Sequence, residues 1–183
     1  MARRLPAAAV AALLAGCAAQ PQTAEEFRRA IPHGLFAGTG SIEVNRPFAE
    51  VAATFGKMAP ECLQGSVTTT RQIITRFRVI TREYFTAWKP TVAMAQERAE
   101  LHVQAQTAGE IHLSRSPLGG PYRLVADAYP VHAGRTRLQW FSARDPLGGP
   151  DYLVRAITGW ASGESMQCPD LMTEWDRTRE WAR

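Results

Sequence analysis

Two carboxylate–imidazole pairs are the first place to look for chemistry in this chain: Glu100 with His102, and Glu110 with His112, each two residues apart. Residues two apart on a strand share a face, so neighbouring strands carrying such pairs in register would offer ligands to a metal ion. Neither an HExxH pair nor an EF-hand loop accompanies them, and without those spacings a water-facing strand surface is the simpler expectation. Gly159-Trp160-Ala161-Ser162-Gly163 has its serine one place late for a nucleophile elbow and lies at the end of a helical pattern. Pro117-Leu118-Gly119-Gly120-Pro121, repeated at Pro146–Pro150, lacks the lysine of a phosphate-binding loop. It reads as a turn used twice, with proline and glycine setting its backbone. No catalytic residue, metal ligand or cofactor is assigned, and the chain is expected not to be an enzyme. The enzymatic alternative is an envelope hydrolase that draws a carboxylate or histidine from separate loops.

The elements that would position these groups follow from periodicity. Phe48, Val51, Phe55, Met58 or Ala59, and Cys62 recur at three and four residues, predicting a helix over about 46–62 after a short strand at Ile42–Val44. Asn45 is the expected cap, with Pro47 in the first turn. Ile73, Thr75, Phe77 and Val79 alternate as one strand face, and Tyr84, Thr86 and Trp88 continue a β pattern before Pro90. Ala99, Leu101, Val103 and Ala105 alternate with polar neighbours in the clearest half-buried strand. Further strands are expected over 122–129 and 136–141, joined by a turn at Ala133-Gly134. A second helix starts near Gly149–Asp151, with Leu153, Ala156, Ile157, Trp160 and Ala161 on its apolar side and Gly163 at its end. A final short helix after Pro169 would carry Met172 and Trp175 inward.

The expected fold class is therefore α+β: a meandering antiparallel sheet with two helices packed on one face, plus a short C-terminal helix. It is loosely similar to the helix-grip arrangement over about residues 42–168. A curved sheet gripped by helices can leave an apolar cavity, and Phe77, Trp88, Tyr129 and Trp140 are the candidate residues to line it around a small apolar ligand.

The amino terminus carries a different kind of information. Arg3 and Arg4 precede 12 mostly apolar residues, Leu5–Gly16, too few to span a bilayer as a helix and arranged as a signal peptide. Leu14, Ala15, Gly16 and Cys17 resemble the lipobox of bacterial lipoproteins. That resemblance, covering the first 17 residues, implies cleavage before Cys17, fatty acylation of Cys17, and, with Ala18 next, sorting to the periplasmic face of the outer membrane. The implied divisions are a signal peptide at 1–16, a lipidated amino terminus and tether at 17–40, and one periplasmic domain at 41–183. An ordinary secretory leader with an incidental cysteine is the plainer alternative.

With Cys17 given to lipid, Cys62 and Cys168 are an even pair in an oxidising space, and a disulfide between them is expected over two isolated thiols. The 183 residues suffice for one domain. The net charge of +4 becomes +2 without Arg3 and Arg4, leaving 19 basic and 17 acidic residues. So near a balance gives no case for nucleic acid. Arginine supplies 19 of the 21 basic groups, and Arg71, Arg76, Arg78 and Arg82 cluster where they could meet anionic headgroups, although a charged outward face is simpler. The leading expectation is an outer-membrane lipoprotein whose body is a non-enzymatic binding or accessory module. Its partners would be the membrane, through the acyl chains, and an envelope protein; the alternative is a carrier of a small apolar ligand.

Overall fold

Residues 20–34, 37–74, 78–108, 116–143, 151–169 and 171 are described by the computed structural model. Their elements, in chain order, are α1 (Ala24–Ala30) with a 3-10 turn at Ile31–His33, β1 (Ala37–Val44), α2 (Phe48–Leu63), β2 (Gly65–Ile74), β3 (Val79–Met94), β4 (Ala99–Ala108), β5 (Tyr122–His132), β6 (Arg135–Ala143) and α3 (Tyr152–Ser162). All six strands form one antiparallel sheet in the order β1-β6-β5-β4-β3-β2. Strands β2 to β6 meander, and β1 closes the far edge against β6. Because β1 and β2 are opposite edges, α2 crosses the sheet between them, and α3 returns over the same face. The fold is α+β and helix-grip-like.

The face under α2 and α3 is mainly apolar, with the buried hydroxyls of Thr136 and Ser142 donating to the Arg46 and Gly38 carbonyls. Val51, Phe55, Ala59 and Leu63 of α2 and Ile157 and Trp160 of α3 meet Leu101, Leu124 and Leu138 of the sheet, all without exposed surface. Burying a side chain such as Phe55 stabilises the fold by roughly 2–3 kcal/mol. Helix α3 begins where Asp151 accepts a hydrogen bond from Val154 N at 3.1 Å and stops at Gly163, whose φ of 78° suits glycine. Arg46 donates to the Trp160 and Ala161 carbonyls at 2.9 and 3.3 Å, satisfying groups the helix end leaves open. Cys62, at the end of α2, is bonded to Cys168, beyond α3, with their Cα atoms 4.9 Å apart.

Three local expectations give way. The alternation over 73–79 is two strands, with Ile73 opposite Ile80 and Ile74 opposite Val79. The β-favouring residues run through the reversal without a glycine or proline to mark it. Strand β3 also continues past Pro90 to Met94, because β2 begins at Gly65 opposite Trp88 and the proline, paired with Val103 of β4, has no β2 partner on its other side. Asn45 caps nothing: Pro47 is the residue before α2, and its carbonyl accepts from Glu50 and Val51. The folded body also begins earlier than residue 41, since α1 buries Phe27 and β1 starts at Ala37. The expected C-terminal helix with Met172 and Trp175 lies outside the described residues, as does the second Pro-Leu-Gly-Gly-Pro segment.

Candidate functional site

On the other face of the sheet the short helix α1 lies over β4 and β5. Its start is built by Thr23, which accepts from Glu26 N at 3.1 Å, while Glu26 reaches back to Gln22 N at 2.7 Å. This is the reciprocal logic of a capping box. Phe27 and Ile31 bury against Val125, and Phe27 packs on the Tyr122 ring at 5.7 Å.

Between these apolar contacts stands the densest group of charges among the described residues. Arg28 donates to both carboxylate oxygens of Asp127, each at 2.8 Å, and also to Glu100. Arg98 donates to Asp127 Oδ1 at 3.0 Å through Nε and also to Glu100. His102 Nδ1 lies 3.2 Å from Glu100 Oε1, with its ring edge-on to Tyr122. The Asp127 side chain is only 2% exposed, so its charge depends on the two guanidinium groups. Burial pushes the Glu100 carboxyl up, but hydrogen bonds from Arg28 and His102 and the charges of Arg28 and Arg98 outweigh it and hold the group low. Burial opposes the charge on Arg28 as well, and its bonds to Asp127 and Glu100 reverse that and raise it. Burial, then the nearby carboxylates, push the Tyr122 and Tyr129 hydroxyls up.

Two guanidinium groups against two carboxylates cancel in charge and satisfy one another. Such a cluster is suited to fixing α1 on the sheet rather than to moving a proton, because the Glu100 carboxyl is held low and each acid is engaged by guanidinium groups. Glu100 and His102 are therefore only partly open to water, Glu100 being held by Arg28 of α1 and His102 lying against Glu100 and Tyr122. Glu110 and His112 lie outside the described residues. Among the described residues no group of three or more His, Cys, Asp or Glu side chains is placed to hold a metal. Sequence reasoning missed Arg28 and Asp127. The available signal was a lone acid inside the apolar run Leu124-Val125-Ala126-Asp127-Ala128.

The cavity candidates divide between the two faces. Trp88 is buried on the inner face with its ring edge-on to Tyr152 at 6.3 Å. Trp140 packs on the same core, three strands away, and lies over Gly40, where a side chain would strike its ring. Tyr129 shares the outer face with Asp127, and Phe77, like Cys17, lies outside the described residues. A groove of about 420 Å³ opens instead between the end of β1 and α3, lined by Ile42, Glu43, Asn45, Thr158, Ser162 and Glu164, among others.

No family model and no curated protein sequence matches the chain. Among solved structures it is similar to an uncharacterized protein from Bacillus thuringiensis, at 12% identity and a TM-score of 0.34 over 72% of this chain and 99% of that one. A conserved protein from Geobacillus kaustophilus follows at 14% identity and a TM-score of 0.29, over 80% of this chain and 95% of that one. A START superfamily protein from Mycobacterium smegmatis has 11% identity and a TM-score of 0.29 over the same shares.

Proposed function

We propose that the chain is an outer-membrane lipoprotein, acylated at Cys17, whose body acts as a non-enzymatic binding or accessory module on the periplasmic side of the envelope. The observation that carries this reading is the basic start, short apolar run and Leu14-Ala15-Gly16-Cys17 motif in register. The Cys62–Cys168 bridge supports an oxidising compartment. The mutual pairing in the Arg28–Asp127 cluster supports a fixed scaffold over a proton-transfer site. Expression of the full chain with its leader in a Gram-negative host, followed by membrane fractionation and intact mass, tests the anchor. Acylated protein in the outer-membrane fraction, released to the soluble periplasm by Cys17→Ala with a secretory leader, is the expected result. Protein that keeps Met1 and a free Cys17 overturns it. Crosslinking of the anchored and Cys17→Ala forms tests the module: an envelope partner captured by the anchored form is expected, and none in either form counts against an accessory role.

A second reading, a carrier of a small ligand, draws on the helix-grip-like layout and the groove beside β1. The polar side chains at that groove suit a molecule with a polar head better than a wholly apolar one. Native mass spectrometry of periplasm-purified protein tests it: a bound small molecule lost on Ser162→Trp supports a carrier, and bare protein opposes it.

A further inference from the structure

We infer that the loop Pro117–Gly120 is a membrane-contacting element that inserts Leu118 into the same leaflet that holds the acyl chains of Cys17. Leu118 is 93% exposed, yet its loop is firmly built. Pro117 and Gly120 are buried, and Gly120 N donates to Pro117 O at 3.0 Å. The buried Gln104 amide donates to the carbonyls of Leu118 at 3.1 Å and Gly120 at 2.9 Å. Gly119 and Gly120 have φ of 94° and 92°, and a Cβ on Gly120 would lie 2.6 Å from the Ala105 carbonyl oxygen. Glycine is needed there for both reasons. A fully exposed leucine on a mobile tip is ordinary; one held out by a buried amide and two glycines at positive φ is a presented apolar group.

The occupant is named by where the chain comes from. Ser116 donates to the Gln20 side chain at 3.0 Å, so the loop touches the first described residue of the chain. Three peptide steps separate Gln20 from Cys17, at most about 11 Å when extended. Resting on the anchored reading, this puts the loop within reach of the bilayer surface. The neighbouring side chains suit such a surface. The stem of Lys89 runs beside Gly119, with its Cδ 3.1 Å from where a Cβ would be, and its exposed ammonium can meet lipid phosphate. Phe85, 47% exposed, shares the Lys89 face of β3 and gives a second apolar group.

The test uses the natively processed protein, in which lipid blocks Cys17 and the bridge occupies Cys62 and Cys168. Leu118→Cys then supplies one thiol for an environment-sensitive fluorophore. Val131→Cys supplies a control at the far end of β5, about 30 Å away along the strand. In vesicles of phosphatidylethanolamine and phosphatidylglycerol, acyl-chain-brominated lipid is expected to quench the residue-118 probe about twofold and leave the residue-131 probe unchanged. Acylated protein whose residue-118 probe is quenched no more than the control overturns the inference while leaving the anchor standing. Protein whose intact mass shows an unmodified Cys17 overturns both.

Discussion

The two faces of the sheet bury their residues by different physics. Under α2 and α3 the contacts are mainly apolar and non-directional, and they involve most of the sheet. Under α1 a helix of seven residues has Phe27 and Ile31 as its apolar anchors and relies on Arg28 reaching Asp127 and Glu100 for its position. A large apolar surface tolerates small changes in shape and fails by forming cavities. An ion cluster fixes one arrangement and fails when a single partner is removed. The inner face should therefore govern global stability and the outer face the placement of the amino-terminal segment.

Breaking the inner face should have the largest effect. Phe55→Ala is expected to cost about 4 kcal/mol in denaturant unfolding, from lost transfer energy plus a cavity. A loss below about 1 kcal/mol would mean that α2 is not seated as described. Removing the bridge with Cys62→Ser and Cys168→Ser together should cost about 2–4 kcal/mol, read by thermal unfolding against the oxidised parent. On the outer face, Asp127→Ala leaves Arg28 and Arg98 without their shared carboxylate and should cost about 3 kcal/mol. The sharper measurement is the paired replacement Arg28→Met with Asp127→Leu, which should recover most of that loss if the charges fix position more than they stabilise. The smallest effect is that of acid. The folded Glu100 carboxyl is held low, so its contribution is present above the ordinary glutamate range and is lost as pH falls through the folded value. The protection of amides in 24–31, relative to their intrinsic exchange at each pH, should fall first on acidification, while α2 stays protected. Simultaneous loss of protection in both would merge the two faces into one cooperative unit.

The same contrast decides what could be read from the sequence. The face of α2 is legible because Val51, Phe55, Met58, Ala59 and Cys62 obey one period and all are buried. Strand β4 is legible because Ala99, Leu101, Val103 and Ala105 alternate, and the ends of α3 because Asp151 and Gly163 act locally. Alternation, however, states which residues share a face and not whether water reaches it. Of the polar residues that alternate with this face, Gln104 is buried under the Leu118 loop and Glu100 is half-buried against Arg28 of α1. Arg28 and Asp127 meet across 99 residues, beyond any local period. The β2–β3 reversal carried no turn residue to betray it. Ring type does not say which side of a sheet an aromatic residue is on, and strand parity puts Tyr129 on the opposite side from Trp88 and Trp140.

The placement of β1 beside β6 has a consequence for assembly. Ala37 can find its ladder partner only after Ala143 has been supplied, and α2 has no finished floor to cross until the intervening meander exists. A chain delivered amino end first must keep an early strand idle, its backbone groups bonded to water in place of a neighbouring strand, for most of its own length. Such late closure between distant segments slows folding and leaves an adhesive edge open in the meantime. The step most in need of a guardian is the wait for the last strand, before the bridge can close the chain behind it.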